Sequence, residues 1–344
     1  MKLQYLPGLL LLAASAAQAY PRSDLPSIKF EHKDWELVCD NTRTCRAAGY
    51  QAEDASPPAS LLLTRRAGPG QTVRAQVRLA NAPDDRPLPP TVQMSVGGRN
   101  LGIVRIDRDS NTGTLSDAQV KALLPALARD GEVSWLASKT SWTVSSAGAT
   151  AVLLKMDDFQ GRVDTAGALV RKGNKPESTV LPALPAPVVR AAAVARDAGR
   201  PPRFDAQQQR GLLAELRKTL QPDECAALDK ASPLALHRLS GDKLLVSHPC
   251  WQGAYNSGDA YWVIEARPPY SPVLVTSAGS GYADGVIESA QRGRGIGDCM
   301  RRAYWTWDGR SFSQTLDATT GMCREVAAGG AWDLPTLVAE VRRR

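Results

Sequence analysis

Apolar and polar residues alternate in short runs through the first third of the chain, the period of a half-buried strand. Trp35-Glu36-Leu37-Val38-Cys39 is such a run; Asp40-Asn41 marks a turn, and Thr44-Cys45-Arg46 opens the returning strand. Residues 61–64, 73–79 and 91–96 predict further strands, the last ending at a Gly97-Gly98 turn. The period then changes to 3.6. Ser116 is placed as an N-cap, and Val120, Leu123, Leu124 and Leu127 share one face, with Pro125 expected to kink or split the helix and Asp130-Gly131 to end it. A strand follows near 133–136. A second helix is predicted over roughly 147–158, with Val152, Leu153 and Met156 inward, resuming through 165–171.

After residue 203 the pattern predicts one amphipathic helix, then strands. Asp205 caps the helix, Leu212, Leu213, Leu216 and Leu220 line one side, and Pro222 follows it; Asp223 can cap a short second helix carrying Cys225. Strands are expected at 244–247, 260–266, 272–276, 285–289, 301–307 and 310–316, with Asp308-Gly309 as a two-residue hairpin turn. Between the halves, residues 174–203 hold Pro176, Pro182, Pro185, Pro187, Pro201 and Pro202, which favour an extended linker, with a helical turn conceivable at 191–195. The expected fold is α+β. A leader spans 1–19 and a β-rich domain with two helices spans 20–173. The 174–203 linker joins it to a C-terminal domain, 204–344, of one helix and an antiparallel sheet.

The leader changes the picture of where this fold forms. Lys2, a short apolar run from Leu6 to Ala14 and Ala17-Gln18-Ala19 make a signal peptide cleaved before Tyr20. The run falls short of the ~20 residues a membrane-spanning helix needs, and no later segment supplies them. Periplasmic or secreted localisation follows, with no transmembrane segment in the mature chain. Six cysteines in an exported chain read as disulfides. Cys39 and Cys45 flank a tight turn and are the safest pair. Cys225, Cys250, Cys299 and Cys323 follow the linker, with Cys225–Cys250 and Cys299–Cys323 favoured although spacing alone leaves the connectivity open. No metal-ligand spacing is present, His32, His237 and His248 are scattered, and no cofactor is expected. The formal charge of +7 is compatible with an anionic envelope polymer, a glycan or an acidic protein surface. Export and the lack of a motif argue against nucleic acid.

Several features resemble the bacterial family catalogued as domain of unknown function 1176. They are the leader, the six-cysteine spacing, the segment Leu153-Leu154-Lys155-Met156-Asp157-Asp158-Phe159-Gln160-Gly161-Arg162, and the ending Gly297-Asp298-Cys299, Trp305-Thr306-Trp307-Asp308-Gly309, Phe312 and Cys323-Arg324. The resemblance implies export and cysteine-based structure and no activity. The chain departs from it at Met300 and Glu325, where glycine is expected, so local turns should differ there. The first third is also similar to the invasion-associated locus B proteins, through Trp35, Cys39-Asp40, Cys45 and the strands at 74–79 and 92–96.

Candidate chemistry is sparse. Gly279-Ser280-Gly281 lacks nucleophile-elbow spacing, and Gly293-Arg294-Gly295-Ile296-Gly297 lacks the Lys-Ser/Thr of a phosphate loop. Asp157, Asp158, Gln160 and Arg162 are the densest polar cluster, expected to lie on a solvent face. Trp305 and Trp307 alternate onto one sheet face, as core or as a platform for a glycan or protein. Trp305, Trp307, Asp157 and Arg162 are therefore the candidate binding surface, with no catalytic residue assigned. The function read from the sequence is a non-catalytic periplasmic binding or protein-interaction module; the alternative is a cell-envelope hydrolase or other enzyme.

Overall fold

The computed structural model describes residues 26–81, 87–129, 131–195, 202–229 and 233–343. The expected leader and cleavage site, Asp130 and residues 196–201 of the proline-rich segment lie outside the described residues.

The first half is one ten-stranded sheet. Its strands are β1 (Ile28–His32), β2 (Trp35–Cys39), β3 (Cys45–Tyr50), β4 (Ala59–Arg65), β5 (Val73–Leu79), β6 (Thr91–Val96), β7 (Arg99–Asp107), β8 (Thr112–Thr114), β9 (Val133–Ala137) and β10 (Thr140–Val144). They are ordered β1-β2-β3-β4-β5-β8-β7-β6-β9-β10, and the sheet curls until β10 lies against β4. Inside the curl, Trp35, Leu37, Leu61, Leu63, Val77, Met94, Trp135 and Trp142 form the core with two helices. Helix α1 (Asp117–Leu127) starts at a capping box in which Ser116 Oγ accepts from Gln119 N and Gln119 Oε1 accepts from Ser116 N. It does not split at Pro125. The proline sits in the last turn, and beyond it Ala128 N–H still bonds Leu124 O. Helix α2 (Ala149–Phe159) packs on β1 and β2. Its N-cap, Gly148, has φ of 98°, and a Cβ there would collide with His32 O.

The helix does not resume at 165–171. Gly161 has φ of 68°, and the N–H groups of Leu169 and Val170 point to the Asp157 carboxylate rather than to helical carbonyls.

In the second half, α3 (Ala206–Arg217) begins at Asp205, whose carboxylate accepts from Gln208 N at 2.8 Å. It covers one face of an antiparallel sheet of β12 (Ala235–Arg238), β13 (Lys243–Gln252), β14 (Ser257–Glu265) and β15 (Val273–Gly279). Alternate residues pack to opposite sides. Leu244, Val246 and Trp262 meet α3, while Leu245, Tyr261 and Val263 meet a second sheet. That sheet contains β16 (Gly281–Ala283), β17 (Val286–Arg292), β18 (Met300–Trp307), β19 (Phe312–Thr319) and β20 (Leu334–Val338). Cys225 lies in the turn before a 3-10 segment, Ala226–Asp229, rather than in an α-helix.

Three disulfides join Cys39 to Cys45, Cys225 to Cys250 and Cys299 to Cys323. The hairpin register leading to the last pair differs from the expected one. Asp308 Oδ1 accepts from both Arg310 N and Ser311 N, building a four-residue loop, so Trp307 pairs with Phe312 and not with Arg310. A bulge between Tyr304 and Trp305 adds one more position, which carries Cys299 towards Cys323. Glu325, at a position where the family resemblance expects glycine, has φ of 58°, the left-handed region that glycine adopts without a Cβ penalty.

The described part of the proline-rich segment holds a 3-10 turn at Glu177–Thr179 and is otherwise largely extended, but it is not free. Val188–Ala191 forms β11, paired in parallel with β21 (Glu340–Arg343). Ala192 N bonds Trp307 O and Ala195 N bonds Leu239 O, so residues 191–195 are extended and make no helical turn.

Residues 320–338 return to the first half and cover the outer face of β2–β4. Val326, Ala331 and Leu334 pack on Val38, Ala48, Tyr50 and Leu62. This explains why all five residues of β2 are buried, Glu36 included. Glu36 Oε1 accepts from Tyr50 Oη and Met322 N, both at 2.7 Å. Gly321 has φ of 95°, and a Cβ there would strike Tyr50 Oη. Burial raises the Glu36 pKa, opposed by those two hydrogen bonds. A carboxyl raised in the fold favours the folded state most below the ordinary carboxyl pKa, and that contribution is lost as pH rises through the raised value. Glu36→Gln keeps the oxygen acceptor without the charge. Urea unfolding should therefore show a smaller fall in stability between about pH 4 and pH 7 than in the wild type; an unchanged slope would reject this assignment.

Candidate functional site

The Asp157-to-Arg162 motif turns inward. Asp157 and Arg162 are fully buried, as is Gln160, whereas Asp158 is exposed and pairs with Lys155. The expected solvent-face cluster is thus mainly interior, because the C-terminal end of α2 aims at the strand end of β4 and at a loop that folds over it.

Asp157 Oδ2 accepts from Leu169 N at 2.6 Å and Val170 N at 3.3 Å, and Asp157 Oδ1 from Arg65 Nη1 at 3.4 Å. Arg65 also donates to Gln71 O and Gly167 O. Arg162 donates to Gln160 Oε1, Arg66 O and Gly68 O, and its Nη1 stands 3.8 Å from Glu177 Oε2. Glu177 in turn accepts from Gly167 N at 2.9 Å and Gly70 N at 3.4 Å. Two guanidinium groups and two carboxylates compensate one another, which buried charge requires. Burial raises the Asp157 pKa against the pull of its backbone donors. Burial and the neighbouring Arg162 push Arg65 down to about 10. Burial alone would raise Glu177, but its two backbone N–H donors and nearby polar and charged groups hold it below its ordinary value.

Two clefts flank the loop that this network holds. One, of about 620 Å³, lies between α1 and the loop, with Val73, Val120, Leu124 and Leu169 as apolar lining. Arg65 and Glu177 form part of its wall, and Asp117 and Lys121 stand on the α1 side. The other, of about 580 Å³, lies against the outer side of α2. An apolar pocket with a few placed polar groups is the usual form of a ligand site.

Of the core and platform readings of the tryptophans, Trp307 takes the core one. Trp307 is fully buried between the two C-terminal sheets and donates to Ser240 Oγ at 3.0 Å; Trp305 packs partly exposed on the same cluster. Neither approaches Asp157 or Arg162, which belong to a different core. His248 is buried, its Nδ1 2.6 Å from Pro249 O. In the Gly293–Gly297 loop, Arg294 forms a two-pronged ion pair with Asp298. Asp298 also lies near Cys299 and Cys323, but those sulfurs are bonded to each other and offer no thiolate. Arg65 and Glu177 were not visible as site residues in the sequence. Arg65 ends an ordinary apolar strand and Glu177 lies in the proline-rich segment, so neither carries a local signal.

A family model described as a protein of unknown function (DUF1176) matches residues 29–339. The uncharacterized protein YpfG of Escherichia coli (strain K12) is 23% identical over 363 aligned positions, covering 96% of this chain and 95% of the relative. No solved structure matches the chain.

Proposed function

Since the chain belongs to the DUF1176 family of proteins of unknown function, we propose from its own geometry that it is an exported, non-catalytic binding module. Its ligand site is the cleft between α1 and the 166–177 loop. The leader and the three disulfides support export. On this reading residues 20–173 and 204–344 are two units clasped by the 320–338 segment.

One observation carries the binding reading: the ionisable groups behind the cleft are committed to backbone groups and to each other. Asp157 holds two loop N–H groups, Glu177 holds two more, and Arg65 binds two carbonyls. A reacting group must instead reach a substrate atom. The cleft's apolar lining then supplies affinity and its charged edge supplies orientation. Ala166 is an exposed residue of the lining. Ala166→Trp should fill the cleft and abolish retention of the natural ligand, read by native mass spectrometry of protein released from the periplasm.

A further inference from the structure

We propose that the second cleft, between β1 and the outer side of α2, binds a single-chain anionic amphiphile, a long-chain fatty carboxylate. This goes beyond the site above and stands on a different surface. Helix α2 buries Val152, Leu153 and Met156 in the core. Ala151, Leu154, Lys155 and Asp158 recur at three- and four-residue spacing along a second stripe. Leu154 is only partly buried. With Phe30, Ala151 and Val163 it makes the apolar floor of the cleft.

The rim is basic. Lys155, Arg171 and Lys175 line it. Lys155 Nζ is 2.8 Å from Asp158, while Arg171 Nε and Lys175 Nζ lie 2.8 and 3.1 Å from the two oxygens of Asp164. Three cations thus face two carboxylates, leaving one positive charge in excess. These pairs are solvent-exposed, contribute little, and can exchange for a ligand carboxylate. The planar Arg171 fork suits such a group. An apolar floor under a rim with excess positive charge matches a hydrocarbon chain ending in an anion. A bare inorganic anion would leave the floor uncovered, and a cationic head would meet the rim with the wrong sign.

Calorimetric titration with laurate, below the concentration at which it forms micelles, tests this on the full mature chain. One laurate should bind per chain. Lys155→Glu combined with Lys175→Glu, the first partly and the second fully on the surface, should weaken binding about tenfold or more, and Ala151→Trp should abolish it, with far-ultraviolet circular dichroism unchanged. Ala166→Trp, in the other cleft, should leave laurate affinity as it was. Dodecyltrimethylammonium and inorganic phosphate should bind far more weakly. The proposal is overturned if laurate does not bind, if either control ligand binds as tightly, or if the charge reversals leave affinity intact. Loss of laurate binding in Ala166→Trp would also overturn it, while leaving the α1 cleft as a ligand site.

Discussion

Asp157→Ala is expected to destabilise the protein by about 3–5 kcal/mol, the cost of removing one partner from a buried charge group. The carboxylate is the acceptor for Leu169 N–H and Val170 N–H, and the counter-charge 3.4 Å from Arg65. Alanine would leave both N–H groups and two buried guanidiniums undercompensated. Asp157→Asn retains an acceptor and should cost less. Urea unfolding at neutral pH measures both. Because burial raises the Asp157 pKa, the wild type should itself lose stability as pH rises through that raised value, and the alanine variant should lack this component. If Asp157→Ala unfolded within about 0.5 kcal/mol of wild type, the range of ordinary surface substitutions, the network would not be holding the loop.

Trp307→Ala should have a comparable effect, about 3–5 kcal/mol for an aromatic-to-alanine change in a closed core. Trp307 is fully buried among Leu239, Leu245, Val263 and Ile287, and its ring centroid lies 5.3 Å from that of Phe312. Trp307→Phe keeps most of the volume and loses the bond to Ser240, so it should cost nearer about 1 kcal/mol beyond the volume change. The ordering of the two variants in denaturant midpoint is the check. Equal, small effects would return Trp307 to the surface reading.

The strand and helix periods were legible because local burial sets them. The 3.6-residue pattern located α1, α2 and α3, and Asp205 and Ser116 were readable caps. The Cys39–Cys45 turn was legible for the same reason, since both partners lie on one hairpin. Long-range pairing was not legible. Glu36 is bonded by a backbone N–H 286 residues away, and nothing in the sequence of β2 signals that its second face is covered. The candidate site shows the same limit. Asp157 and Arg162 announced themselves as a polar cluster, but their burial depends on Arg65 and Glu177, which arrive from a strand end and from the proline-rich segment. Counting polar residues therefore found the right segment and placed it on the wrong side of the helix. Trp307 was legible in part: alternation gave its face and allowed the core reading that its burial supports, but nothing local showed the second sheet against that face.

Native mass spectrometry of the chain isolated intact from cells, wild type beside Ala166→Trp, tests the central claim most directly. The wild type should carry a non-covalent small-molecule mass that survives prolonged incubation chemically unchanged, and Ala166→Trp should lack it while remaining folded. Identical mass spectra for the two proteins, or conversion of the bound molecule by the wild type but not by Ala166→Trp, would contradict a non-catalytic ligand site in the α1 cleft.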